Sequence, residues 1–138
     1  MTREETIKVL AILKAAYPNS YRNMTKEEAN GTVAVWAMQF ADVPADIVLI
    51  AVNKLISTSP FPPAICEVKK KIGGMYWEAW HMLDENKNRK TLTGEQEALY
   101  QKIFTVAEKL RNQSSYEPTL AELTQGKNSM FLLGSPDQ

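Results

Sequence analysis

The stretch from Asp42 to Pro63, D-V-P-A-D-I-V-L-I-A-V-N-K-L-I-S-T-S-P-F-P-P, constrains the fold more than any other part of the chain. It predicts one short helix that is apolar on nearly every side. Asp42 and Pro44 start it, and Ser57, Ser59 and Pro60 stop it. With Val48 at zero on a helical wheel, Ala51, Val52, Leu55 and Ile56 fall within about a quarter turn, at roughly 100° per residue. Ile47 and Ile50 fall on the opposite side, beside Asn53 and Lys54. A helix apolar on two sides needs cover on two sides. The expectation is a small helical domain with this helix at its centre.

The flanking segments agree. Thr2 and Glu5 form a T-x-x-E capping box at the head of a first helix, from about Arg3 to Tyr17. Its stripe is Val9, Leu10, Leu13, Ala16 and Tyr17, and Pro18-Asn19-Ser20 ends it. Tyr21 to Met24 reads as a linker. Thr25 and Glu28 cap a second helix to about Ala41, with Ala29, Val33, Trp36, Ala37 and Phe40 on one face. Gly31 lies inside that helix, where glycine costs roughly 1 kcal/mol against alanine. A close helix crossing is the usual reason for such a glycine. After the central helix, S-P-F-P-P is a stiff, extended connector. A fourth helix then places Ile65, Val68 and Ile72 on one side, with Lys69, Lys70 and Lys71 near an end marked by Gly73-Gly74. Cys66, beside those apolar positions, reads as a small buried thiol.

Residues 1–74 thus read as a unit of four helices, and 75–112 as two more. The fifth, M-Y-W-E-A-W-H-M-L, puts Tyr76, Trp80 and Leu83 on one face, and D-E-N-K-N-R-K follows as a polar loop. Thr93 and Gln96 cap the sixth, in which Leu99, Ile103, Val106 and Leu110 repeat at helical spacing. That stripe serves equally as an internal seam or a dimer interface. From residue 113 the pattern stops, and 113–138 reads as a flexible tail. Two apolar islands stand in it, T-L-A-E-L with Leu120 and Leu123, and M-F-L-L with Met130, Phe131, Leu132 and Leu133. Such islands either fold back on a domain or act as docking peptides. The fold class is all-α, a small helical bundle with a tail.

The chemistry of enzymes is missing. There is no G-x-x-x-x-G-K-[ST] phosphate loop. His81 is the one histidine, with no placed partner for acid–base work, and Asp84-Glu85 has no converging ligands. No cofactor, metal or small-molecule substrate is expected. Sixteen basic residues balance sixteen acidic ones, which argues against a dedicated nucleic-acid binder. Lys69, Lys70 and Lys71, with Trp77 and Trp80 nearby, form the surface a small helical DNA-binding regulator would use. Their plainer reading is a charged helix end and a packed aromatic face. The lone cysteine excludes an internal disulfide and suits a reducing compartment. No run approaches the roughly 20 apolar residues of a membrane span, and the N-terminus has no signal-peptide core. These features predict a soluble, intracellular protein.

Several pieces together resemble the phage family that loads and inhibits the replicative helicase, known from phages and prophages of Gram-positive bacteria. They are A-A-Y-P (Ala15 to Pro18), T-K-E-E (Thr25 to Glu28), W-A-M-Q-F-A-D-V-P (Trp36 to Pro44) and A-V-N-K-L-I-S-T-S-P-F-P-P-A-I (Ala51 to Ile65), followed by K-K-K-I. The match covers about the first half of the chain. It implies a folded N-terminal helical domain and a C-terminal part that engages the hexameric helicase. The implied role is a non-enzymatic replication adaptor that holds the helicase inactive and delivers it to an origin marked by an initiator protein. On this reading the docking residues are Leu120, Leu123, Met130, Phe131, Leu132 and Leu133, with Lys69, Lys70 and Lys71 as a secondary contact. The alternative is the small helical DNA-binding regulator.

Overall fold

The computed structural model describes residues 1–112, and these are all-α. The described residues divide into two compact units, one of Met1–Ile72 and one from Gly73 onward.

In the first unit, α1 (Arg3–Ala16) packs on α3 (Lys26–Gln39) and on α4 (Ala45–Ile56). α2 (Pro18–Tyr21) is a single turn tucked after α1, and α5 (Ile65–Gly74) closes the series. α4 is the predicted central helix. Of its residues only Asp46 and Asn53 are exposed, and Ile47, Val48, Ala51 and Val52 are fully buried. Val9 and Leu13 of α1, Trp36 and Phe40 at the end of α3, Val43, and Val68 and Ile72 of α5 complete the buried set. The Trp36 and Phe40 rings lie 5.6 Å apart, in the range of favourable tilted pairs.

The helix starts form as their sequences demand. Thr2–Glu5 and Thr25–Glu28 both make reciprocal capping boxes, so two backbone donors at each helix start are satisfied locally. At the other end of α3, the Met1 ammonium donates to the Phe40 and Val43 carbonyls, each at 2.7 Å. A cation at a helix C-terminus meets the negative end of the helix dipole. Thr6, fully buried, donates its hydroxyl proton to the Thr2 carbonyl at 2.7 Å, so its burial leaves no orphan donor. The connector is held at both ends of its first turn. The Tyr17 hydroxyl donates to the Ser59 carbonyl at 2.9 Å, and the Ser59 hydroxyl bonds both the carbonyl and the N–H of Phe61.

In the second unit, α6 (Tyr76–Arg89) and α7 (Gly94–Arg111) form an antiparallel hairpin. At one end Tyr76 stacks on Phe104 with ring centroids 4.8 Å apart, and Arg111 lies over the Tyr76 and Trp77 rings. At the other end the buried Asn86 holds the turn. Its carboxamide donates to Glu97 at 3.3 Å and accepts from the Leu92 N–H at 2.8 Å, while its own backbone carbonyl accepts from the Lys90 N–H. Ile103, Ala107 and Leu110 are buried, and Leu99 and Val106 are half-buried. α7 opens on the Thr93–Gln96 capping box that its sequence predicts.

Three expectations need correction. Pro18-Asn19-Ser20 ends α1 but also begins α2, because proline at the first helical position has the right φ and lacks only a donor that would be orphaned anyway. The linker therefore starts with a helical turn. Gly73 and Gly74 end α5 as expected, although no glycine among the described residues has positive φ. The polar run Asp84–Lys90 is not a loop. α6 continues to Arg89, and Lys90 takes the left-handed conformation (φ 51°) that ends it. Asn86 supplies the buried anchor that this run lacked in the sequence. Finally, Gly31 marks no close crossing: it is exposed, and a Cβ built there meets nothing within 4 Å.

Gly31→Ala is therefore expected to raise stability by about 1 kcal/mol in a urea unfolding titration. A loss of stability would mean that something packs on this glycine after all. Asn86→Ala is expected to cost about 1–3 kcal/mol by the same measurement, since it strands the Leu92 N–H. The backbone N–H groups of Thr2 and Thr25 hold the Glu5 and Glu28 carboxyls below the usual glutamate range. A lowered folded-state pKa contributes stability above the unfolded value, and that contribution disappears as pH falls through the lowered value. Thr25→Ala removes the smaller hydroxyl contribution but keeps the backbone N–H, so the Glu28 carboxyl is expected to rise only part of the way and stay below the ordinary glutamate range, as carboxyl NMR shifts would show.

Candidate protein-docking surface

Leu120, Leu123, Met130, Phe131, Leu132 and Leu133 lie outside the described residues. The remaining sequence-derived candidates have definite places. Lys69 is half-buried; its ammonium donates to the Gln39 side chain at 2.9 Å and stands 5.8 Å from the Phe40 ring centre. Lys70 is exposed and Lys71 is half-buried. The three lysines of α5 therefore point in different directions, as consecutive helical residues must.

Trp77 is 5% exposed, with its indole N–H buried and without a partner among the described residues. Trp80 is half-buried and meets Trp77 edge-on, with centroids 6.1 Å apart. A base-stacking platform needs an open ring face, and the buried Trp77 offers none. His81 is exposed and lies against the edge of Trp80. Cys66 is exposed, which corrects the buried-thiol expectation. The reason is legible on the wheel. Ile65, Val68 and Ile72 define the covered side of α5, and Cys66 stands about 160° from Val68 at roughly 100° per residue.

The first unit also carries features that the sequence reading did not single out. Met38 and Phe61 are 67% and 73% exposed. Phe61 sits in the connector pinned by Tyr17 and Ser59, so a large apolar ring is displayed on fixed backbone. Between α1, α3 and the segment around α2 lies a groove of about 260 Å3. Ile7, Leu10, Ala11 and Val33 give it apolar walls. Tyr21 and Met24 lie along it, and Lys14 and Arg22 supply the only charges among its lining residues. Burial raises the Tyr21 phenol above its usual range, with the neighbouring Tyr17 adding to the shift. No single stretch of sequence signals this groove; Pro18 starts the turn that ends at Tyr21.

Residues 1–69 match the family model for the N-terminal domain of the helicase loader/inhibitor of phage SPP1. The chain belongs to this family of phage helicase loaders. The match spans α1 to α4 and the first half of α5, the same elements that surround the central helix. No curated protein and no solved structure matches the chain. Among the described residues no helix is long and apolar enough to cross a membrane. Nor does any cluster of histidine, cysteine and carboxylate side chains there form a metal site.

The loader-family domain thus presents one open thiol, on the exposed side of α5. Cys66 is expected to react with a chromogenic disulfide reagent in the folded protein, one equivalent per chain, without denaturant. Reaction only after unfolding would show that the thiol is covered in solution.

Proposed function

We propose that this loader-family protein binds the hexameric replicative helicase, holds it inactive and delivers it to an origin, with an origin-bound initiator as a second partner. The family match over residues 1–69 carries the reading. The helicase contact is assigned to the segment after Asn112, through Leu120, Leu123, Met130, Phe131, Leu132 and Leu133. Apolar islands between polar residues suit reversible docking, because ordering the segment consumes part of the contact energy and keeps the affinity moderate. No phosphate loop is present in the sequence, so the protein acts through binding energy alone. It stabilises one state of the ring and releases it when a competing partner binds. Lys69, Lys70 and Lys71 are a secondary contact at most, since Lys69 is already engaged with Gln39. The site of action is the bacterial cytoplasm, where the helicase works.

Size-exclusion runs with the helicase, with and without ATP, test this. The intact chain is expected to co-elute with the hexamer, and a chain ending at Asn112 is expected to lose at least tenfold in affinity. Replacing both Leu120 and Leu123 by alanine should weaken binding in the same direction, as removal of apolar anchors does. Binding by both chain lengths would move the helicase contact into residues 1–112. Binding by neither would overturn the reading.

A further inference from the structure

The groove between α1, α3 and the α2 turn belongs wholly to the first unit, and nothing in the helicase reading above makes use of it. Its walls are apolar, and Ile7 stands in it 47% exposed. At about 260 Å3 it exceeds the roughly 150 Å3 that holds a single aromatic ring. It falls short of the roughly 300–1,000 Å3 typical of sites that enclose a whole cofactor. That size takes a few side chains of a docked segment. The lining also has the composition of a protein-binding surface. Tyrosine, methionine and arginine are the residues enriched there, and Tyr21, Arg22 and Met24 supply all three within one short stretch. The charge has one sign: Lys14 and Arg22 line the groove and no carboxylate does. An apolar floor beside cations of one sign selects a segment that pairs leucine-like side chains with acids.

We infer that this groove is a docking site for an acidic amphipathic helix of a partner protein. The helix would set its apolar side chains against Ile7, Leu10 and Val33 and its carboxylates toward Lys14 and Arg22. The inference rests on the adaptor reading only in taking a protein segment as the ligand. It gives the folded domain a contact of its own, separate from the one assigned to the segment after Asn112.

The test uses the full chain and two labelled synthetic peptides, with no helicase present, so its failure leaves the helicase reading untouched. One peptide carries leucines at i, i+3, i+4 and i+7 with glutamates elsewhere; the other carries lysines in place of the glutamates. Fluorescence anisotropy is expected to show the acidic peptide binding about tenfold more tightly, with the preference falling as salt rises. Lys14→Glu with Arg22→Glu, both on exposed side chains, is expected to reverse that preference while leaving the melting curve nearly unchanged. Met38→Lys, on the opposite face of α3 from Val33, is expected to change nothing. Equal binding of the two peptides, absence of binding, or indifference to the charge reversal would each overturn the proposal. So would loss of binding in Met38→Lys, which would place the peptide elsewhere.

Discussion

Burial of α4 is the constraint on which the first unit depends. A helix with Ile47, Val48, Ala51 and Val52 fully buried and only Asp46 and Asn53 exposed needs cover from other elements. α1 packs on it directly, and Val9 and Leu13 of α1, Trp36 of α3, Phe40 at its C-cap, and Val68 and Ile72 of α5 are buried in the same unit. Each fully buried aliphatic or aromatic side chain contributes about 1.5–3 kcal/mol of transfer free energy. Phe40 sits at the busiest point. It is fully buried, pairs with Trp36, lies under the Lys69 ammonium and offers its carbonyl to the Met1 ammonium. Packing, helix capping and charge complementarity therefore converge on one residue at the α3–α4 corner.

The elements with strong local codes were legible in the sequence. Three T-x-x-E/Q boxes announced α1, α3 and α7, and each forms with both reciprocal bonds. The two-sided apolar pattern announced α4. What failed was punctuation read without tertiary context. The polar run Asp84–Lys90 looked like a loop because its one buried member, Asn86, is itself polar. Its burial is offset by bonds to Leu92 and Glu97 that no single-segment pattern displays. The same blindness hid the groove, whose lining comes from three elements and has no linear motif.

The family resemblance was legible in half the chain, and the match over residues 1–69 falls on that half. That half is also where the packing is best specified by sequence. The division has a physical basis. A domain that encloses a central helix ties its residues to one another over long sequence distances, so its pattern is recognisable piece by piece. A docking segment needs only a few apolar anchors at workable spacing, and many sequences meet that demand. Two footholds on one adaptor, a groove on the folded domain and a segment after it, would act through effective concentration. Each alone can be weak and still hold a partner firmly when both engage.

The long-range bonds of the first unit set the order in which it can form. The Met1 ammonium reaches 39 and 42 residues along the chain, and the Tyr17 hydroxyl reaches 42. Loop closure of that length must precede any return from these contacts. As the chain leaves the ribosome, α1 meets α3 first and gains its contacts with α4 and the connector only later. The α6–α7 hairpin has no such wait, since its Asn86 latch closes over 6 and 11 residues. The first unit thus completes its long-range bonds only once Ser59 is synthesised, and a pause in translation before Ser59 would leave the Tyr17 hydroxyl without that partner.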